Sequence, residues 1–263
     1  MNNAYSQSHI TYLQGLKRHK IFVTVARFAI FIIFTIAWEI TTYTGLIDSF
    51  IFSSPSRIIK CFIELTKSGI LISHIGVTIY ETLVCFAAVI ILALLVATLM
   101  WCFRTLFQIF EPYLILLNSL PKSALAPVLI VWLGNNTKTI IVAAVSVAVF
   151  GAIMSLYTAF IETEPEKIKL IRTLGGSKWH LLTKLVIPSS IPTIISTMKV
   201  NLGLSLVGVI IGEFLAAKKG LGYLIIYGSQ VFKMDFVLLS IVILCILSTI
   251  MYRLIHILEK KNT

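Results

Sequence analysis

Residues 163–192 read TEPEKIKLIRTLGGSKWHLLTKLVIPSSIP, the longest polar interruption in an otherwise apolar chain. Glu164 and Glu166 open it, and Lys167, Lys169, Arg172, Lys178 and Lys184 follow. The pattern predicts two short helices joined by a glycine break. Thr163 is placed to cap the first helix, with Glu166 completing a capping box and Pro165 in the first turn. Gly175 and Gly176 end it, because glycine enters the left-handed region without steric cost. Ser177 is placed to cap the second helix, and Pro188 lies just past its end. Both helices are amphipathic: Ile168, Leu170, Ile171 and Leu174 give the first an apolar side, and Trp179, Leu182, Leu185 and Val186 the second. Two readings fit: a helix pair lying on lipid headgroups, or a docking element whose apolar knobs fill a groove in a cytoplasmic partner.

The rest of the chain decides what kind of protein carries this segment. Of 263 residues, 58% are hydrophobic and 13% charged, with mean hydropathy +0.96. Soluble domains hold about 25% charged residues, so this apolar content calls for lipid as solvent. Apolar runs at about 21–43, 82–103, 113–133, 139–160, 194–215 and 236–258 are each long enough to span a bilayer, and together predict an all-α polytopic protein of about six transmembrane helices. Residues 1–20 form a polar segment ahead of one membrane domain, 21–263. The first run is too long for a secretory signal and reads as an uncleaved span.

Net charge is +11. The basic residues sit in short loops, which fits membrane topology better than nucleic acid, and no nucleic-acid partner is expected. With the amino terminus inside, thirteen Lys and Arg fall on inside segments and seven on outside ones. The positive-inside rule therefore puts both termini and the 163–192 segment in the cytoplasm. The loop at 45–73 is then outside, and its apolar 51–59 portion can lie on the membrane surface. Residues 216–235, with Gly220, Gly222 and Gly228 among apolar neighbours, suit a re-entrant element or a short helix as well as a plain loop.

The 163–192 segment resembles the cytoplasmic EAA loop of permease subunits of bacterial ABC importers. The family pattern is Glu-Ala-Ala, three residues, glycine, nine residues, then Ile-x-Leu-Pro. Here Gly175 is the glycine and Leu185-Val186-Ile187-Pro188 the ending, while Lys169, Leu170 and Ile171 replace the leading triplet. Arg172-Thr173-Leu174-Gly175 is similar to the nitrate/sulfonate/taurine-type branch. Three further segments resemble that branch: Trp38-Glu39 with Ser54-Pro55-Ser56; Asn118-Ser119-Leu120-Pro121 through Pro127, with Trp132-Leu133-Gly134; and Gly212-Glu213-Phe214-Leu215 with Gly220-Leu221-Gly222-Tyr223. They occur in the family's order and cover most of the chain from about residue 36.

The resemblance implies a type I importer-like permease subunit that couples to a separate cytoplasmic ABC ATPase. The ATPase consumes ATP. An extracellular solute-binding protein delivers the solute, and a second permease copy, by default in a homodimer, completes the path in the bacterial plasma membrane. Lys169, Leu170, Ile171, Leu174, Gly175, Trp179, Leu182 and Pro188 would form the coupling site. The solute would be a sulfonate-, taurine- or nitrate-like anion or a vitamin precursor. A self-sufficient secondary transporter or channel is the alternative.

Ionisable residues within spans are candidates for function. Lys122 lies where Pro121 and Pro127 free backbone carbonyls, and Lys199 is near enough to the cytoplasmic end to snorkel. Glu39 and Glu81 are expected near solvent at the outer interface. Glu213 either serves a translocation path or pairs with Lys218 or Lys219. Lys122, Lys199, Asn201, Ser205 and Glu213 are the candidate path residues, with helix packing the equal alternative for Asn201 and Ser205. Gly208 and Gly212 make a GxxxG, and the fourth and fifth spans are rich in small residues that allow close helix contact. The histidines His9, His19, His74, His180 and His256 form no paired ligand motif. No phosphate loop or nucleophile elbow is present, and Cys61, Cys85, Cys102 and Cys245 have no metal spacing. The chain is read as a non-enzyme with no metal and no cofactor of its own.

Overall fold

A computed structural model describes the backbone of residues 7–262 and the side chains of 14–121 and 124–257. Within these bounds the chain is helical, with no strand. Five helices are long and apolar enough to cross a membrane, or six if one bent pair counts as a span.

The first helix, α1 (Gln7–Tyr43), starts within the polar segment and runs without a break into the first span. It stands at the edge of the molecule, with Phe22, Phe28, Ile30 and Phe31 exposed along it, as expected where lipid is the solvent. The loop at 45–73 is not flat. It folds into α2 (Ser49–Phe52) and α3 (Pro55–Lys67), and α3 buries Ile58, Cys61 and Leu65. Burial, with Asp235 and Glu64 nearby, pushes the Cys61 thiol up to about 11, so it stays protonated and behaves as a small apolar residue.

The second span, α4 (Ile70–Cys102), begins twelve residues before the predicted 82. Its early turns carry His74, Thr78 and Glu81, all buried against protein, and hydropathy cannot register polar residues that never meet lipid. The third predicted span, 113–133, is not one helix. It is α5 (Arg104–Ser119) and α6 (Lys122–Leu133), bent by 102°. Pro121 forces the break: the residue before a proline is driven out of the helical region, and Leu120 is extended at ψ 139°.

At the centre lies α7 (Thr137–Ile161), packed between α4 and the long fifth-span helix, α10 (Ile187–Ala216). The α7–α10 approach rests on glycine. A Cβ on Gly208 would stand 2.8 Å from Ala144 Cα, and one on Gly212 would stand 2.8 Å from Ile140 Cγ2, so the GxxxG is a backbone-contact seam. One apolar core joins α4, α5, α7 and α10, with Val89, Ala93, Ala144, Ala148, Phe160 and Val209 at its middle. A second joins α3 and α10 to α11 (Leu221–Gln230) and α12 (Met234–Asn262). The glycine-rich 216–235 stretch is thus a short helix, α11, with Leu221, Gly222, Leu224 and Gly228 buried.

Candidate functional site

The loop between α7 and α10 folds into α8 (Pro165–Thr173) and α9 (Lys178–Leu181). The predicted cap on α8 is corrected. Glu164, not Thr163, holds the cap position, without a side-chain bond, because Thr163 is buried and donates its hydroxyl to Phe160 O at 3.1 Å. The stop of α8 is a Schellman motif. Gly175 is left-handed at φ +77°, its N–H meets Arg172 O at 3.0 Å, and Gly176 N–H meets Ile171 O at 2.9 Å. Gly176 is sterically obligatory, since a Cβ there would lie 2.4 Å from Ile171 Cγ2 and 2.8 Å from Ile171 O.

Ser177 caps α9 as expected. Its hydroxyl accepts from His180 N, and the His180 ring answers at Ser177 N. His180 is therefore an exposed capping partner, a role its bare position did not announce.

The second short helix does not stop at Pro188. It passes through a π-turn at Leu182–Val186 straight into α10, giving one continuous helix, Lys178–Ala216, of 39 residues. The wider turn accommodates prolines that cannot donate to an α-helical ladder.

This rearrangement sorts the proposed coupling residues. Leu170, Leu174 and Trp179 are 60%, 77% and 68% exposed. Lys169, Gly175 and Pro188 are also exposed, and Ile171 is half-buried. Leu182 is the correction: at 2% exposure it belongs to the interior core with Val186 and Phe160. Once α9 continues into α10, Leu182 points into the bundle and cannot meet a partner.

Among the described side chains, the candidate path residues sit in separate surroundings. The side chain of Lys122 lies outside the described residues. Lys199 is half-buried, with Nζ 5.8 Å from the Tyr252 ring centroid on α12. Asn201 and Ser205 are buried. Asn201 Nδ2 donates to Thr197 O at 2.8 Å, and Ser205 lies against the Cys85 thiol of α4. Both lie within the packed helix bundle.

Glu213 sits in a buried polar lattice at the far end of α10. Its Oε1 accepts from the Thr78 hydroxyl at 2.7 Å and its Oε2 from Gly222 N–H at 2.6 Å. Thr78 Oγ1 in turn accepts from Leu221 N–H at 2.8 Å. His74 Nδ1 lies 2.9 Å from both N and O of Gly220, and its ring stacks on Tyr223. The carboxylate thus holds the amino-terminal end of α11, where orphan N–H groups and the helix dipole favour negative charge. The alternative pairing with Lys218 or Lys219 is not formed: both lysines are exposed, and neither takes part in an ion pair among the described residues. Glu81, expected near solvent, is 1% exposed and lies against Glu213.

Sequence reasoning missed His74 and Thr78. Their signal was a polar stripe at 74, 78, 81 and 82, on one helical face ahead of the assumed start of the span. Glu39 plays a similar part at half-buried depth. It accepts from Ser56 N–H at 3.0 Å and the Ser56 hydroxyl at 2.7 Å, at the start of α3.

The family described as binding-protein-dependent transport system inner membrane component matches residues 89–263. The chain is 26% identical over 193 residues to a formylaminopyrimidine transport permease protein of Halalkalibacterium halodurans, covering 73% of this chain and 76% of that one. It is 21% identical over 248 residues to the taurine transport system permease protein of Escherichia coli, covering 92% and 89%. In structure it is similar to a chain of the inward-facing MetNI methionine ABC transporter, at TM-score 0.67 and 19% identity, covering 74% of this chain and 96% of that one.

Proposed function

The chain belongs to the family of binding-protein-dependent transport system inner membrane components, and from that premise we propose how it couples to its partners. Residues 163–192 seat in a groove of a separate cytoplasmic ATPase, which hydrolyses the ATP. A second copy of the chain completes the translocation path, a binding protein delivers the solute from outside, and both termini lie in the cytoplasm.

The observation that carries this reading is the exposed trio Leu170, Leu174 and Trp179 on a hairpin braced at both ends of its turn. Large apolar side chains held in water by a Schellman motif and a capping box are suited to a partner's groove. Stiffness supplies the transmission. A continuous helix of 39 residues is about 58 Å long at about 1.5 Å per residue. Movement of α8 and α9 with the ATPase would travel along α10 as a rigid body to the Glu213 lattice at the other end.

Coupling is tested by co-purification in detergent with a co-expressed ABC ATPase of the same organism. Wild type should retain the ATPase, and the double variant Leu174→Asp/Trp179→Asp should lose it while eluting as a folded permease. If wild type retains none, the hairpin is a membrane-surface element and a self-sufficient transporter becomes the better account. In that account Glu213 and Lys199 would act together, yet the helix between them holds them about 21 Å apart.

The solute belongs to a class of small polar molecules. Relatives are named for a formylaminopyrimidine, for riboflavin and for taurine.

A further inference from the structure

A second face of the α8–α9 hairpin closes a cavity of about 490 Å3 against the helix bundle. Trp101 from the last turn of α4 and Tyr157 from near the end of α7 line it, with Ile168 of α8 and Leu181 of α9. Both α4 and α7 are long and apolar enough to cross a membrane. Their ends meet here, which puts the cavity at the depth where hydrocarbon gives way to headgroups. Trp and Tyr are the side chains favoured at that depth.

Three cations line the same cavity: Arg104 at the start of α5, Arg172 of α8 and Lys178 of α9. No Asp or Glu lines it, and among the described residues none of the three takes part in an ion pair. A cleft lined by one sign of charge concentrates counter-ions, so this one favours an anion. The hairpin residues concerned are not those offered to a partner's groove, since Leu170, Leu174 and Trp179 are absent from the lining. A soluble anion would use the cations alone. The apolar wall of Trp101, Ile168 and Leu181 suits an amphiphile.

We propose that this cavity seats the headgroup of an anionic phospholipid. Its phosphodiester lies toward Arg104, Arg172 and Lys178, and its glycerol and upper acyl chain lie against the apolar wall. Basic pockets between membrane helices suit such headgroups. One bound lipid ties α8 and α9 to the ends of α4 and α7. The assignment needs only the membrane reading and holds whether or not an ATPase seats on the exposed trio.

The test is native mass spectrometry of the full chain in detergent, titrated with phosphatidylglycerol or phosphatidylcholine of matched acyl chains. Wild type should retain phosphatidylglycerol preferentially. Each basic residue near anionic lipid adds about fivefold to the attraction, so Arg104→Gln/Arg172→Gln/Lys178→Gln should weaken phosphatidylglycerol binding at least about tenfold. Phosphatidylcholine binding should not change. All three side chains are exposed, so the variant keeps its fold. The control Lys218→Gln/Lys219→Gln/Lys233→Gln removes the same charge outside the cavity and should keep the preference. Equal retention of the two lipids by wild type, or equal losses in the two variants, overturns the proposal. Displacement by inorganic phosphate beyond that by chloride at equal ionic strength overturns it in favour of a soluble-anion site. Displacement by the co-expressed ATPase overturns it in favour of acidic side chains of that partner.

Discussion

A single carboxyl group, Glu213, organises the end of α10 that meets α11. It is 1% exposed yet fully engaged, taking one donor from α4 and one from the backbone of α11. The glycines around it follow from its position. A Cβ on Gly220 would stand 2.3 Å from Glu213 Cδ, and Gly220 also holds φ +119°. Replacing Glu213 by alanine leaves the Gly222 N–H buried without its acceptor and leaves the Thr78 hydroxyl only the longer contact to His74 O at 3.3 Å. Each orphaned group costs about 1–3 kcal/mol, so thermal unfolding of the purified Glu213→Ala variant should show a marked loss of stability, larger than that of Thr78→Ala. An unchanged midpoint would mean that Glu213 does not anchor α11.

Among elements, two short helices start on a carboxylate supplied by a long one. Glu39 of α1 meets the start of α3, and Glu213 of α10 meets the start of α11. In both cases a carboxyl oxygen accepts from an N–H group that a helix start leaves open. The α8–α9 hairpin is built differently, from its own turn chemistry. Gly175 holds φ +77° with nothing within 4 Å of the point a Cβ would occupy, so backbone conformation is the sole constraint there. Gly175→Asn should therefore keep ATPase co-purification, because asparagine tolerates the left-handed region, whereas Gly175→Val should uncouple uptake from ATP hydrolysis or disrupt assembly. Uptake at the wild-type level in Gly175→Val with normal expression would remove the turn from the coupling mechanism. The two leucines of the hairpin should also separate. Leu182→Asp buries a charge in the α7–α10 core and should abolish folded yield on size exclusion. Leu174→Asp should leave folded yield intact and weaken only the ATPase contact.

For the molecule as a whole, α7 and α10 form the axis on which the other helices are hung. Their seam depends on Gly208 and Gly212 meeting Ala144 and Ile140 at backbone distance. Without a hydrophobic driving force between helices in lipid, close backbone approach and van der Waals contact carry the association. Gly208→Leu should push the pair apart and lower monodisperse yield severely. Gly203→Leu, earlier on the same helix with nothing within 4 Å of its Cβ position, should be near neutral. Similar losses from both would show that the seam is not the determinant. The same axis joins the α8–α9 hairpin at one end of α10 to the Glu213 lattice at the other.

Composition, span hydropathy and turn chemistry were legible directly in the chain. They are local properties: an apolar run needs lipid wherever it folds, and Gly175 or Ser177 acts within a few residues of itself. The GxxxG was legible too, though its partner helix was not. Segments 212–215 and 220–223 stand out as one resemblance, but their contact through Glu213 and Gly222 became visible only in three dimensions. Tertiary structure alone decided where α4 begins, because His74, Thr78 and Glu81 are polar by composition and interior by packing. It also moved Leu182 from surface to core, since the π-turn joins α9 to α10 and rotates that residue inward. It placed Glu81 beside Glu213 and in one cavity with Lys218 and Lys219. No sequence spacing encodes such a meeting of separate segments, which exists only once the helices are packed.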